Sequence, residues 1–276
     1  AASVSGRVLA LARTAEGSRV VQEVLEQATS DFQRELIAAE FHGSAIKAMR
    51  CPHGNHVLQK CIACLPPAAL QFVVDELMGE EGLLTKMARH RYGARIVQRL
   101  LVRCEASQVV GIAEAVLQDA AALCCHSFGS HVVQRLLEVG TAEQRSSLLR
   151  TIVENMQTVG CCSSGGGVVA AALAHASAED RLLVARAVVG DASTLYQLAR
   201  GRHGHAAVLQ MLSELQGPER ARACEVLTAG SGFSELKACR YGRKVAQFLE
   251  EAPPPPPLQP PPPLATPPLA APPLAA

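Results

Sequence analysis

The sequence lacks an excess of either charge. With 26 Lys and Arg against 25 Asp and Glu in 276 residues, its formal net charge is +1. That excludes a globally basic binder of polyanions, so any such site has to be local. Long apolar runs are also missing: none approaches the roughly 18–20 residues that span a bilayer, and no charged-then-apolar signal segment stands at the front. The chain is therefore expected to be soluble and intracellular, with no membrane partner. A zinc framework is missing too. Of the ten cysteines, the one CxxC, Cys61 to Cys64, has no second CxxC or His pair to complete four ligands. Spread through a chain that is 49% apolar, the thiols are expected to be reduced and mostly buried, because a large core needs no disulfide staples. Neither metal nor cofactor is expected. The nine His and 25 acidic residues follow no nucleophile, metal or P-loop spacing, which leaves enzymatic chemistry without a foothold.

What the sequence does contain is a recurring decamer. "GSRVVQ", "GNHVLQ", "GARIVQ" and "GSHVVQ" open on Gly17, Gly54, Gly93 and Gly129, and weaker versions open on Gly165, Gly204 and Gly242. The intervals are 37, 39, 36, 36, 39 and 38 residues, the period of a stacked helical repeat in which each unit buries its apolar face against its neighbours. Counted from the Gly, positions three, four, seven and eight are apolar: Val20, Val21, Val24 and Leu25 in the first copy, and Val57, Leu58, Cys61 and Ile62 in the second. At about 100° per residue these fall within a wedge of roughly 140°, the width of a core-facing stripe.

Positions one, two and five lie on the other side of the same helix. They read Ser18, Arg19, Gln22; Asn55, His56, Gln59; Ala94, Arg95, Gln98; and Ser130, His131, Gln134. After each helix a breaker or capping residue marks a further one: Ser30, Pro66, Ser107, Thr141, Ser177 and Pro218, with "TAEQ" at Thr141 having the form of a capping box. A short apolar stretch before each Gly, such as "LLTKMA", predicts a brief leading helix. Each unit is thus expected to hold three helices, with no alternating strand pattern in competition.

Two domains follow: repeats over 1–252 and a proline-rich tail over 253–276. The tail holds 13 of the 17 prolines and no charge, so it reads as polyproline II or disordered, a low-complexity extension with docking to a proline-binding domain as the sharper alternative. The seventh unit runs into it ten residues after its Gly, without room for a closing helix. That end is expected either to belong to a shortened array or to be covered by something else.

Stacked units would line one continuous face with the triplets. Amides carry both donors and acceptors, as reading a base edge requires, and Arg and His are flat enough to stack on bases. Residue types and period together point to single-stranded RNA. The decamers resemble those of the Pumilio, or PUF, family of RNA-binding proteins. The resemblance implies an all-α, right-handed, curved solenoid of three-helix repeats, with the middle helix on the concave face, one base read per repeat and the RNA antiparallel to the protein. It implies that positions one and five contact the base edge and position two stacks between bases. Ser18 with Gln22 would read A, Asn55 with Gln59 U, and Ala94 with Gln98 and Ser130 with Gln134 A, so the 3′ portion of the RNA would read A-A-U-A. Arg19, His56, Arg95 and His131 would stack.

The C-terminal copies depart from this. Gly166, Gly167 and Ala170 offer no reading side chain, and glycines at a helix start weaken it by about 1 kcal/mol each relative to Ala. His205, Ala206 and Leu209 form no recognisable pair. Arg243, Lys244 and Gln247 are also no reading pair, although Arg243 and Lys244 could hold phosphate. Arg13, Arg50, Arg89 and Arg200 each stand four residues before a Gly, as a basic row beside the groove or as a solvated loop row. The function expected is sequence-specific binding of mRNA 3′ UTRs in the cytoplasm, with post-transcriptional control of stability or translation. Protein partners could bind the convex face or the tail. The alternatives are a nucleolar PUF-like protein of ribosome assembly with low sequence preference, and a HEAT- or armadillo-like protein scaffold.

Overall fold

The computed structural model describes residues 4–251; the proline-rich tail lies outside the described residues. Among these, every regular element is a helix, and they group into seven units. The middle helices are Ala15–Gln27, Gly54–Cys64, Gly93–Arg103, Gly129–Val139, Gly165–His175, Gly204–Glu214 and Gly242–Glu251. A short helix leads into each one: Val8–Ala12, Ala45–Arg50, Leu83–Ala88, Ala120–Cys124, Met156–Cys161, Ala192–Arg200 and Gly232–Ala238. Units 1 to 6 close with a third helix. Each middle helix packs on the next, so one buried cluster runs from Val4 to Ala246. This is an α-solenoid, with units that touch mainly their neighbours.

The apolar stripe packs as the helical period requires. Val57, Leu58, Cys61 and Ile62 are fully buried, as are Ile96, Val97 and Leu100; full burial contributes about 1.5–3 kcal/mol for a large aliphatic side chain. Unit 1 is the exception. Val20, expected in the stripe, is 46% exposed, because position three is covered by the preceding unit and among the described residues none precedes α-helical unit 1.

Every anchor glycine has the same neighbour. A Cβ on Gly17, Gly93, Gly165 or Gly204 would come within 1.6–2.5 Å of the carbonyl oxygen six residues earlier: Leu11, Met87, Val159 and Leu198, respectively. At Gly54, Gly129 and Gly242 the distance to that carbonyl is 2.8–3.2 Å. The leading helix doubles back so tightly onto the middle one that a methyl group does not fit. These glycines are buried and helical, without positive φ, so close approach rather than backbone freedom selects them.

The helix starts follow the sequence signals with one correction. Ser30, Thr141 and Ser177 accept N–H bonds as N-caps, and Thr141 with Gln144 forms the reciprocal capping box. Pro66 precedes a 3-10 turn, Pro67–Leu70, before the closing helix Gln71–Met78, and Pro218 lies in the first turn of Gly217–Thr228. Ser107 is not a cap: its helix begins at Val110. Gln108 is the cause. Its amide accepts from the Glu105 N–H and donates to Pro67 O and Gln71 Oε1 of the previous unit, tying residues 105–108 down as a turn.

Arginines close the middle helices at their C-terminal ends. Arg34 donates to Leu25 O and Ala28 O, Arg103 to Ile62 O and Leu65 O, and Arg145 to Leu137 O and Gly140 O. In each case one guanidinium satisfies the carbonyls eight and eleven residues after the anchor glycine, groups that a helix end leaves without partners.

Candidate nucleic-acid interface

The fold separates the three positions of the triplet. Position two is on the surface: Arg19, His56, Arg95 and His131 are all exposed, one per unit. Position one is inside, with Ser18 at 4%, Asn55 at 0%, Ala94 at 2% and Ser130 at 2% exposure. Position five is half-buried. Gln22 Nε2 donates back to Ser18 O at 3.0 Å and Gln98 Nε2 to Ala94 O at 2.9 Å. Anchoring the amide nitrogen to its own helix fixes the side chain.

Unit 2 is wired differently. Asn55 Nδ2 donates to Cys51 O and Pro52 O at 2.7 and 2.9 Å, clamping the turn that enters the helix. Gln59 Nε2 donates to Asn55 Oδ1 at 2.9 Å, and Arg99 Nε of unit 3 donates to Gln59 Oε1 at 3.0 Å. The chain from backbone to Asn55 to Gln59 to Arg99 engages both oxygens, and the guanidinium forms its exposed end. Arg99 was not among the candidates, and neither were Lys60 and Arg135, which occupy the same position six. The signal was legible: the dipeptides Gln-Lys and Gln-Arg recur at residues 59–60, 98–99 and 134–135. Lys60 pairs with Glu26 and Arg135 with Glu138, whereas Arg99 has no carboxylate partner among the described residues. Gln59, Arg95, Gln98, Arg99 and Arg135 line an open cavity of about 420 Å³ across units 2 to 4.

Units 5 to 7 present a different face. Gly167 stands at position two of unit 5, and a Cβ there would meet Gln134 Nε2 at 3.0 Å; one on Gly166 would meet the Gly204 N at 2.9 Å. The glycines let three middle helices close up, and the Gln134 amide lies where a stacking side chain would stand. His205 is buried, contacts Gly201 O at 3.1 Å and stacks on Tyr241, a packing role. In unit 7, Arg243 and Lys244 are exposed, but Gln247 Nε2 turns away from the helix start to Glu251 Oε1.

The row four residues before the glycines is split. Arg89 binds Asp119 at 2.6 Å and Arg200 binds Glu235 at 3.2 Å, while Arg13 and Arg50 are exposed without an ion-pair partner among the described residues. In the CxxC, burial pushes the Cys61 thiol up to about 12, as apolar surroundings do.

A stack of helical units, the first four of whose middle helices carry the triplet, defines a helical-repeat solenoid. Comparison with known proteins makes the family explicit. A model of a NOP9-like PUF repeat domain matches residues 3–118, and a Pumilio-family RNA binding repeat matches residues 120–153, together just over half of the chain. The chain belongs to the Pumilio, or PUF, family. The Suppressor protein MPT5 of Saccharomyces cerevisiae is 26% identical over 108 residues, and the Putative pumilio homolog 7, chloroplastic, of Arabidopsis thaliana is 28% identical over 96. These matches cover 37% and 35% of this chain but only 12% and 14% of the relatives. Among solved structures, PUF-8 in complex with PBE-RNA superposes with a TM-score of 0.76 at 23% identity, covering 91% of this chain and 73% of that one. The Puf3 RNA binding domain bound to a Cox17 RNA 3′ UTR site superposes with a TM-score of 0.73 at 19% identity, covering 90% and 75%.

Proposed function

We propose that the chain binds single-stranded RNA along the middle-helix face of units 1 to 4, one base per unit, and so regulates mRNAs through sites in their 3′ UTRs in the cytoplasm. One observation carries this reading: a row of exposed flat side chains, Arg19, His56, Arg95 and His131, spaced one per unit beside half-buried glutamines. Stacking on such side chains is worth roughly 1–3 kcal/mol per base and tolerates any base. Preference then comes from the amides. Ser18 with Gln22 favours A, Asn55 with Gln59 U, and the pairs at Ala94 and Ser130 A, giving A-A-U-A at the 3′ end.

Unit 2 is where this reading is tested hardest, because the Asn55 amide is bonded to backbone and to Gln59. Asn55→Ser is expected to change the preference at that nucleotide from U to A by about 1–3 kcal/mol and leave its neighbours alone. Fluorescence anisotropy on two RNAs that differ only at that base measures it. Equal losses for both RNAs would make Asn55 a clamp of the helix entry and not a reader.

A second reading is RNA binding with little sequence preference in ribosome assembly, in the nucleolus. It is favoured by the NOP9-like match over residues 3–118 and by three units without a reading pair. Selection from a random RNA pool separates the two: an enriched short motif supports the first reading, and tight binding without enrichment the second.

A further inference from the structure

A cavity of about 650 Å³ opens between the leading helices of units 1 and 2. Leu9, Ala12 and Ala48 form its walls, Arg13, Lys47 and Arg50 its rim, and no acidic residue lines it. All three cations are exposed and without an ion-pair partner among the described residues. Between units 6 and 7 the same register is filled differently. Arg200 of unit 6, four residues before its glycine, pairs across the gap with Glu235 of unit 7, which stands seven before the next. In units 1 and 2 the same two register positions hold Arg13 and Lys47. Two cations therefore share the gap where units 6 and 7 hold an ion pair, as Arg50 and Lys86 do in the register of units 2 and 3, and like charges on one cavity are relieved by a bound anion. The positive field extends further: the His90 imidazole, in the loop entering the middle helix of unit 3, has its pKa lowered by burial and then by Arg50 and Arg91.

We propose that this cavity is a second RNA subsite, taking a nucleotide beyond the base-reading row, with its phosphate on Arg13, Lys47 and Arg50 and its base against the apolar wall. The cavity also touches Gly54, which opens the helix bearing Asn55, His56 and Gln59, so a strand on the triplet row reaches it without crossing another unit. The aliphatic wall suits a base face, and the three donors suit phosphate oxygens. The proposal rests on RNA lying along units 1 to 4, as argued above.

The test uses the whole chain and labelled RNAs: an octanucleotide ending in A-A-U-A, the same RNA with five uridines added at the 3′ end, the same with five added at the 5′ end, and a uridine-only set of equal lengths. The 3′ extension is expected to tighten binding about tenfold at low salt, with the salt slope steeper by about 0.7 per added phosphate contact. Lys47→Glu recreates the unit 6–7 ion pair across the gap. It should abolish the gain from extension, leave the octanucleotide within about twofold, and keep or raise the melting temperature. Arg13→Glu with Arg50→Glu should also abolish it. Photo-crosslinking of a 4-thiouridine in the extension should map to residues 9–13 or 47–54. A gain lost in Lys47→Glu but carried by the 5′ extension supports the subsite and reverses the polarity. A gain lost in the uridine-only set as well supports the subsite while the base-reading assignment fails. No gain from either extension, or a gain that survives both variants, overturns the proposal. So does a decaglutamate peptide that binds the native chain, loses binding in Lys47→Glu and competes with no RNA, which would assign the cavity to an acidic protein segment.

Discussion

Gln134 of unit 4 and Gly167 of unit 5 touch across the line where the molecule changes character. On one side the middle helices carry exposed Arg or His at position two and a half-buried Gln at position five. On the other, no unit pairs an exposed Arg or His at position two with a Gln anchored at position five, although the middle helix and its anchor glycine are kept. Unit 5 keeps the contact that makes the solenoid, since Gly165 lies against Val159 O as every anchor glycine lies against its own carbonyl. It lacks the flat side chain and the Gln that units 1 to 4 carry. Stacking a repeat and equipping it are thus separable demands on the sequence, met by different positions of one helix.

The sharpest break of this comparison comes from neighbouring glycines in unit 5. Gly165→Ala puts a Cβ 1.6 Å from a backbone carbonyl, so the leading helix has to move; a loss of about 3 kcal/mol or more is expected, read as a lower midpoint in denaturant. A midpoint unchanged within error would remove close approach as the reason for the anchor. Next in size is RNA binding. Alanine at Arg19, His56 or Arg95 is expected to cost roughly 1–3 kcal/mol each in affinity, while Gln210→Ala in unit 6 stays within about 0.5 kcal/mol. His205 is not a fair control, since its burial on Tyr241 makes its loss a stability effect. Anisotropy on one RNA would show whether units 6 and 7 contribute equally, which the division into two halves forbids.

Gly167→Ala should behave unlike Gly165→Ala. Its Cβ meets only the flexible end of Gln134, so helix propensity dominates, and a gain of up to about 1 kcal/mol is expected in thermal melting. Gln134 must swing aside, and discrimination at the nucleotide of unit 4 should change with it. A destabilised protein with unchanged discrimination would contradict the contact. The smallest effect is electrostatic. His90 Nδ1 accepts the N–H groups of Tyr92 and Gly93, and its pKa lies below the ordinary 6.5, by burial first and then by Arg50 and Arg91. The folded chain then holds that proton less readily than the unfolded one, so this contribution is complete above about pH 6.5 and is lost as pH falls through the lower folded value. Melting temperature should decline slightly between pH 7 and 5, and less in His90→Gln.

Much of this was legible in the residues. Seven glycines at intervals of 36–39, with apolar residues three, four, seven and eight later, specify the middle helices, and capping at Ser30, Thr141 and Ser177 specifies where three of the closing ones start. Ser107 misled because a local capping signal competes with a contact 41 residues away, from Gln108 to Pro67. The triplets were visible as a pattern, but not that position one would be buried. A helical wheel gives direction from one axis and knows nothing of the neighbouring unit.

By itself, then, the sequence determined the period, the helical content, the apolar stripe and the side chains offered at each register position, because these depend on contacts within a dozen residues. Tertiary structure decided which of those side chains are available. Arg89 and Arg200 are claimed by carboxylates 30 and 35 residues on, whereas Arg13 lines one cavity with Lys47 and is left facing solvent. Gln59 is held by an arginine 40 residues away. The reason is physical: a charge or an amide is defined by what lies within about 4 Å of it, and in a solenoid those atoms belong to the next repeat.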